Sequence, residues 1–127
     1  MASSTSASGA TGPVDRARLA ALRDEVGEHT MRRFITTYLD LLEARLERIA
    51  EPLEPGRADS LRAAFDLRVS SEMLGAARLA GIAADVEATL REGTLPGARQ
   101  RMALHREADS VAAALFGMLK AKGSGGR

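Results

Sequence analysis

Between residues 28 and 53, apolar side chains return at steps of three and four: Met31, Phe34, Ile35, Tyr38, Leu41, Leu42, Leu46, Ile49 and Leu53. That spacing puts them along one side of a long helix and matches no strand. The same period governs the rest of the chain, and no stretch alternates as a strand would. Composition agrees. Apolar residues make up 45% of the 127, but aromatics only 3%, with no Trp. Helices packed through Ala and Leu suit such a chain better than a sandwich of sheets.

The breaks between helices can be read from Gly and Pro. A first helix is expected after Pro13, capped by Asp15, with Leu19, Leu22 and Val26 inward and a stop near Gly27. The second runs from Glu28 to Leu53 and ends at Pro52, Pro55 and Gly56. The third covers Ala58 to Leu74, with Gly75 as a left-handed stop. The fourth carries Leu79, Ile82, Ala83, Val86 and Leu90, and ends at Arg91-Glu92-Gly93. The fifth starts near Pro96 and turns Met102, Leu104, Ala108, Val111, Leu115, Met118 and Leu119 inward. Short connections make neighbouring helices antiparallel. The expected fold is therefore all-α, an up-down four-helix bundle with an additional short N-terminal helix. The bundle occupies residues 13–121. A Ser/Ala/Thr/Gly-rich tail over 1–12 and a Gly-rich tail over 122–127 are expected to be flexible.

Several functions are disfavoured. A formal net charge of +1 offers no basic face for nucleic acid and no polybasic cluster for an anionic membrane. No apolar run approaches the roughly 20 residues of a membrane span. The N-terminus has neither the basic start nor the apolar stretch of a secretion signal, so a cytoplasmic location is expected. Cysteine is absent, which removes disulfides, thiol chemistry and cysteine-ligated zinc. Two isolated histidines, His29 and His105, make a poor metal site, and no metal or other cofactor is expected. Ser70 and Ser71 have no histidine base beside them and are expected to bond a backbone carbonyl one turn earlier. Asp85 and Glu87 lie two positions apart, do not face each other, and are expected to be solvated. The stretch Gly93-Thr94-Leu95-Pro96-Gly97 lacks the Gly-Lys-Ser/Thr ending of a phosphate loop.

The third helix carries the informative stretch, Ala64-Phe65-Asp66-Leu67-Arg68-Val69-Ser70-Ser71-Glu72-Met73-Leu74-Gly75-Ala76. It resembles the signature of histidine-containing phosphotransfer (HPt) domains, Ala-His-x-Leu-Lys-Gly-Ser-Ser followed shortly by Leu-Gly-Ala. Ala64, Leu67, Ser70, Ser71, Leu74, Gly75 and Ala76 match, and Arg68 stands where the family usually has Lys. Leu79 and the Val86-Glu87 pair resemble the family's next helix, and the likeness spans roughly residues 14–120.

Two departures bear on function. Phe65 occupies the place of the phosphate-accepting histidine, and Val69 that of a glycine one turn later. A phenyl ring has no nucleophilic lone pair and no titrating proton, so Phe65 cannot carry a phosphoryl group. Val69 fills space that a glycine would leave for a partner's active-site loops. At about 100° per residue, Ala64, Leu67, Ser71 and Leu74 share one side of the helix. Phe65, Arg68, Val69 and Glu72 gather on another, roughly 120° away, with Arg62 at its edge. This places an apolar pair near solvent inside a charged rim, the anatomy of a protein-docking patch. A small rotation of the helix would instead tuck Phe65 between helices, where phenylalanine more often lies, and the rim charges would then be an ordinary solvated face.

The resemblance implies a non-enzymatic pseudo-HPt module of two-component or phosphorelay signalling. It would bind a response-regulator receiver domain or a histidine kinase through Arg62, Phe65, Arg68, Val69 and Glu72. A monomer is expected. The alternatives are phosphotransfer through His29 or His105, and a structural module that self-associates through Phe65 and Val69.

Overall fold

The computed structural model describes residues 12–50 and 57–125, which form five α-helices and no strand. They are α1 (Arg16–Val26), α2 (Glu28–Ala50), α3 (Arg57–Met73), α4 (Ala77–Arg91) and α5 (Ala98–Gly125). The expected N-terminal tail, apart from Gly12, lies outside the described residues, as do Leu53, Pro52, Pro55 and Gly56. At the other end, the helical backbone of α5 continues to Gly125, beyond the expected bundle limit at residue 121.

Three of the described boundaries have a local cause. Asp15 caps α1, its Oδ1 accepting from the backbone N–H groups of Ala17 and Arg18. Gly27 takes a φ of 92° and joins α1 to α2 with no other linker residue. Gly75, at φ 82°, ends α3 in a Schellman turn. Its N–H donates to the Glu72 carbonyl at 3.1 Å, and that of Ala76 to the Ser71 carbonyl at 2.8 Å. The same turn binds the start of α1, because the Asp15 N–H donates to the Gly75 carbonyl at 2.8 Å.

The packing forms a ring. α3 lies against α2 and α4, α4 against α5, and α5 against α2, while α1 rests on α2 and α3. Ile35, Tyr38, Ile49, Leu67, Leu74, Leu79, Val86, Leu104, Val111 and Leu115 are buried at its centre.

Three residues expected inside are exposed: Val26, Leu41 and Met102. Leu42 takes the core position on α2, and its neighbour Leu41, about 100° round the helix, faces out. Likewise Leu104 fills the core from α5 and leaves Met102, two residues back, on the far side. Val26 is the last residue of α1, where the chain reverses and fewer neighbours can cover it.

Candidate functional site

Phe65 is 42% exposed, on the outward side of α3. Ala64 and Leu67 face inward on the same helix and are fully buried, so the helix is anchored by its small and aliphatic side chains rather than by the ring. Val69, one turn on from Phe65, is half-buried. The guanidinium of Arg68 lies over the Phe65 ring, 5.2 Å from its centroid, in cation–π geometry.

Arg68 is held there from a neighbouring helix. Its Nε–H donates to Glu87 Oε1 of α4 at 2.7 Å, with a longer contact of 3.5 Å from Nη2 to Oε2. Arg91, one turn further along α4, donates from Nη2 to Glu87 Oε2 at 3.0 Å. Glu87 is only 2% exposed. A carboxylate is retained at that depth because both its oxygens receive charged donors. The hydrogen bond from Arg68 holds the Glu87 carboxyl below its ordinary value against the opposing effect of burial. That same bond to Glu87 raises the pKa of Arg68, so its charge is fixed. Glu72 adds a weaker ion pair to Arg68 at 4.0 Å. Arg62 pairs with Asp66 at 3.7 Å along α3.

Thus Phe65, Arg68, Val69 and Glu72 do share a face of α3, with Arg62 exposed one turn before. Glu87 was expected in solvent and is instead the buried anchor of that face, while Asp85 is exposed as expected. One local sign pointed to part of this network. Glu87 and Arg91 are four residues apart with the acid first, the favourable order for a helix pair. The pairing with Arg68, 19 residues away on another helix, has no such local sign.

Beneath the face lies a second polar group. Ser70 Oγ donates to the Asp66 carbonyl at 2.6 Å, the expected back-bond, and accepts from Arg45 Nη1 at 3.3 Å. Ser71 departs from that pattern. Its hydroxyl shares a 2.8 Å hydrogen bond with the buried Tyr38 phenol of α2. Burial pushes the Tyr38 hydroxyl above its ordinary 10.0, with the Ser71 bond acting the other way. A hydroxyl spent on a buried phenol, with no histidine near it, is a packing contact rather than a nucleophile.

His29 and His105 are exposed on α2 and α5, apart from this face. No cluster of three His, Asp or Glu side chains able to hold a metal ion occurs among the described residues. No described helix is long and apolar enough to cross a membrane. Comparison of the chain with models of known protein families, with curated proteins and with solved structures finds no match.

Proposed function

We propose that this chain is a pseudo-HPt interaction module of two-component or phosphorelay signalling. It binds a receiver domain or a histidine kinase through α3 and transfers no phosphoryl group. The observation that carries this reading is the state of Phe65. At the position of the family's histidine, its ring is presented to solvent beneath an arginine that a buried carboxylate holds in place. A free arginine would lose side-chain entropy on docking. One already pinned to Glu87 loses less.

The α2–α3–α4–α5 ring, its short connections and the extra helix α1 support an up-down four-helix bundle of HPt type. With no imidazole at position 65, action is stoichiometric. The module occupies a partner and excludes a true phosphotransfer protein, or recruits the partner elsewhere.

The test is a titration of the full chain against purified receiver domains and kinase dimerisation domains from the source genome, with transfer of labelled phosphate followed in parallel. Saturable binding to at least one of them, weakened tenfold or more by Phe65→Asp and accompanied by no label on this chain, is the expected result. Label passing to His29, His105 or any other side chain would overturn it. So would a failure to bind any of these domains, or a concentration-dependent dimer that Phe65→Asp dissolves.

A further inference from the structure

A second feature lies away from α3. Arg16, Leu19 and Arg23 follow one stripe of α1, and Met31, Arg32 and Ile35 one stripe of α2. On α1 the steps are three and four residues, and on α2 Met31 and Arg32 stand four and three residues before Ile35, so each set lies on the side of its helix that borders the space between the two. Met118 and Leu119 of α5 also line it. The cavity between them is partly open to solvent and has a volume of about 370 Å³, within the range of roughly 300–1,000 Å³ usual for small-molecule sites. Its floor is apolar, made by the buried Leu19, Met31 and Ile35.

Its rim has one dominant sign. Three basic residues, Arg16, Arg23 and Arg32, line it against one acidic residue, Glu28. Arg16 and Arg23 are exposed and make no ion pair with a carboxylate among the described residues. Arg32 donates from Nη2 to the Leu119 carbonyl at 3.3 Å, which occupies only one of its five N–H groups. An apolar floor under a cationic rim is matched by a ligand with an apolar body and an anionic head. The two methionines favour a flexible body, because a thioether side chain adapts to an irregular one.

We infer that this cavity binds an amphiphilic carboxylate of the medium-chain fatty-acid class. The chain lies on Leu19, Met31 and Met118, and the carboxylate meets Arg16 and Arg23 in charge-assisted hydrogen bonds. None of the lining residues belongs to α3, so the site is independent of the Phe65 face.

The probe is dodecanoate below its micellar concentration, titrated calorimetrically into the full chain, with the methionine methyl groups followed by NMR. Saturable one-to-one binding is expected, with the Met31 and Met118 methyl signals moving and that of the exposed Met102 fixed. The double variant Arg16→Gln/Arg23→Gln keeps the wild-type helical melt and binds at least tenfold more weakly, and dodecyltrimethylammonium does not bind. No saturable binding, equal binding of the cationic amphiphile, or unchanged affinity in the double variant would each overturn the inference. Recruitment to phosphatidylglycerol vesicles without binding of free dodecanoate would also overturn it, by making the arginines a membrane contact.

Discussion

Arg68 and Glu87 meet across the α3–α4 interface at 2.7 Å, and through them a residue at the centre of the core edge sets the position of one at the surface. The carboxylate is buried, whereas the arginine side chain reaches outward over Phe65. Because the pair pulls the Glu87 pKa down, its contribution to stability is complete above the ordinary carboxylate value of 4.5. It is lost as pH falls below that value and through the lowered one. Glu87→Gln should therefore lower the urea midpoint at pH 7, and the gap to wild type should narrow steadily as unfolding is repeated from pH 5 down to pH 3. A gap of constant size over that range would show that the Glu87 carboxyl titrates alike in the native and unfolded states, and that the pair does not lower its pKa.

Phe65 and Leu67 are two residues apart on α3 but in opposite surroundings, one half out in solvent and one fully buried. Leu67→Ala removes core side chain and leaves a cavity, at about 2–5 kcal/mol. Phe65→Ala gives up only partial burial, about 1 kcal/mol or less. Chemical denaturation of both variants measures the difference. Equal losses would place the Phe65 ring in the core and remove the proposed docking face.

How far such a contrast can be foreseen depends on how local its cause is. Gly75 could be read as a stop because the turn it ends requires a positive φ, a property of one residue type at one position. The alternation of Ala64 and Leu67 with Phe65 and Val69 follows from helix pitch alone, and the observed burial keeps to it. Leu41 could not be placed by pitch, because Leu42 beside it is also apolar and the packing of neighbouring helices decides which of the two faces in. Met102 could have been, because it stands about 200° round the helix from Leu104. Glu87 was hidden for a stronger reason. Two positions from an exposed Asp85 it looks like surface charge, and its burial is tolerable because Arg68, brought in from α3, joins Arg91 in supplying charged donors to its two oxygens.

On the proposed pseudo-HPt reading, an imidazole placed at position 65 should not be enough to give phosphotransfer. Val69 stands one turn from position 65 on the same face, and Arg68 covers the ring. Phe65→His is expected to accept phosphate from a receiver domain slowly or not at all, and Phe65→His/Val69→Gly at least tenfold faster. The comparison is made by rate of label transfer at equal protein concentration. Rapid phosphorylation of the single variant would mean that Val69 does not crowd the approach.

Tyr38 and Ser71 bind α2 to α3 through one buried hydrogen bond. Tyr38→Phe leaves the Ser71 hydroxyl to turn back to a carbonyl of its own helix, which limits the loss to about 1 kcal/mol. Absorbance titration at 295 nm reads the phenol directly. The folded-state pKa is raised above 10.0 by burial, so the native contribution is complete below pH 10 and fades as pH rises above it and through the raised value. The midpoint should lie above 10 in the native protein and return toward it in urea, and an unshifted native midpoint would mean that the phenol is wet.

Two glycines should respond to alanine in opposite directions. Gly75 holds a φ of 82°, and a Cβ added there would lie 2.9 Å from the Asp15 carbonyl oxygen and 3.0 Å from Arg18 Cβ. The left-handed backbone alone costs a non-glycine residue about 1–2 kcal/mol. The clash adds to that, and relieving it must disturb the 2.8 Å hydrogen bond from the Asp15 N–H to the Gly75 carbonyl that ties α1 to the α3–α4 turn. Gly81 lies within α4 on an exposed side, and an added Cβ meets nothing within 4 Å. There alanine only removes backbone freedom from the unfolded chain and should stabilise by about 0.5–1 kcal/mol. Thermal melts of Gly75→Ala and Gly81→Ala should therefore move to opposite sides of wild type. Hydrogen exchange in the Gly75 variant should rise first in α1, whose cap depends on that turn. Uniformly faster exchange in all five helices would instead make the turn part of the global core.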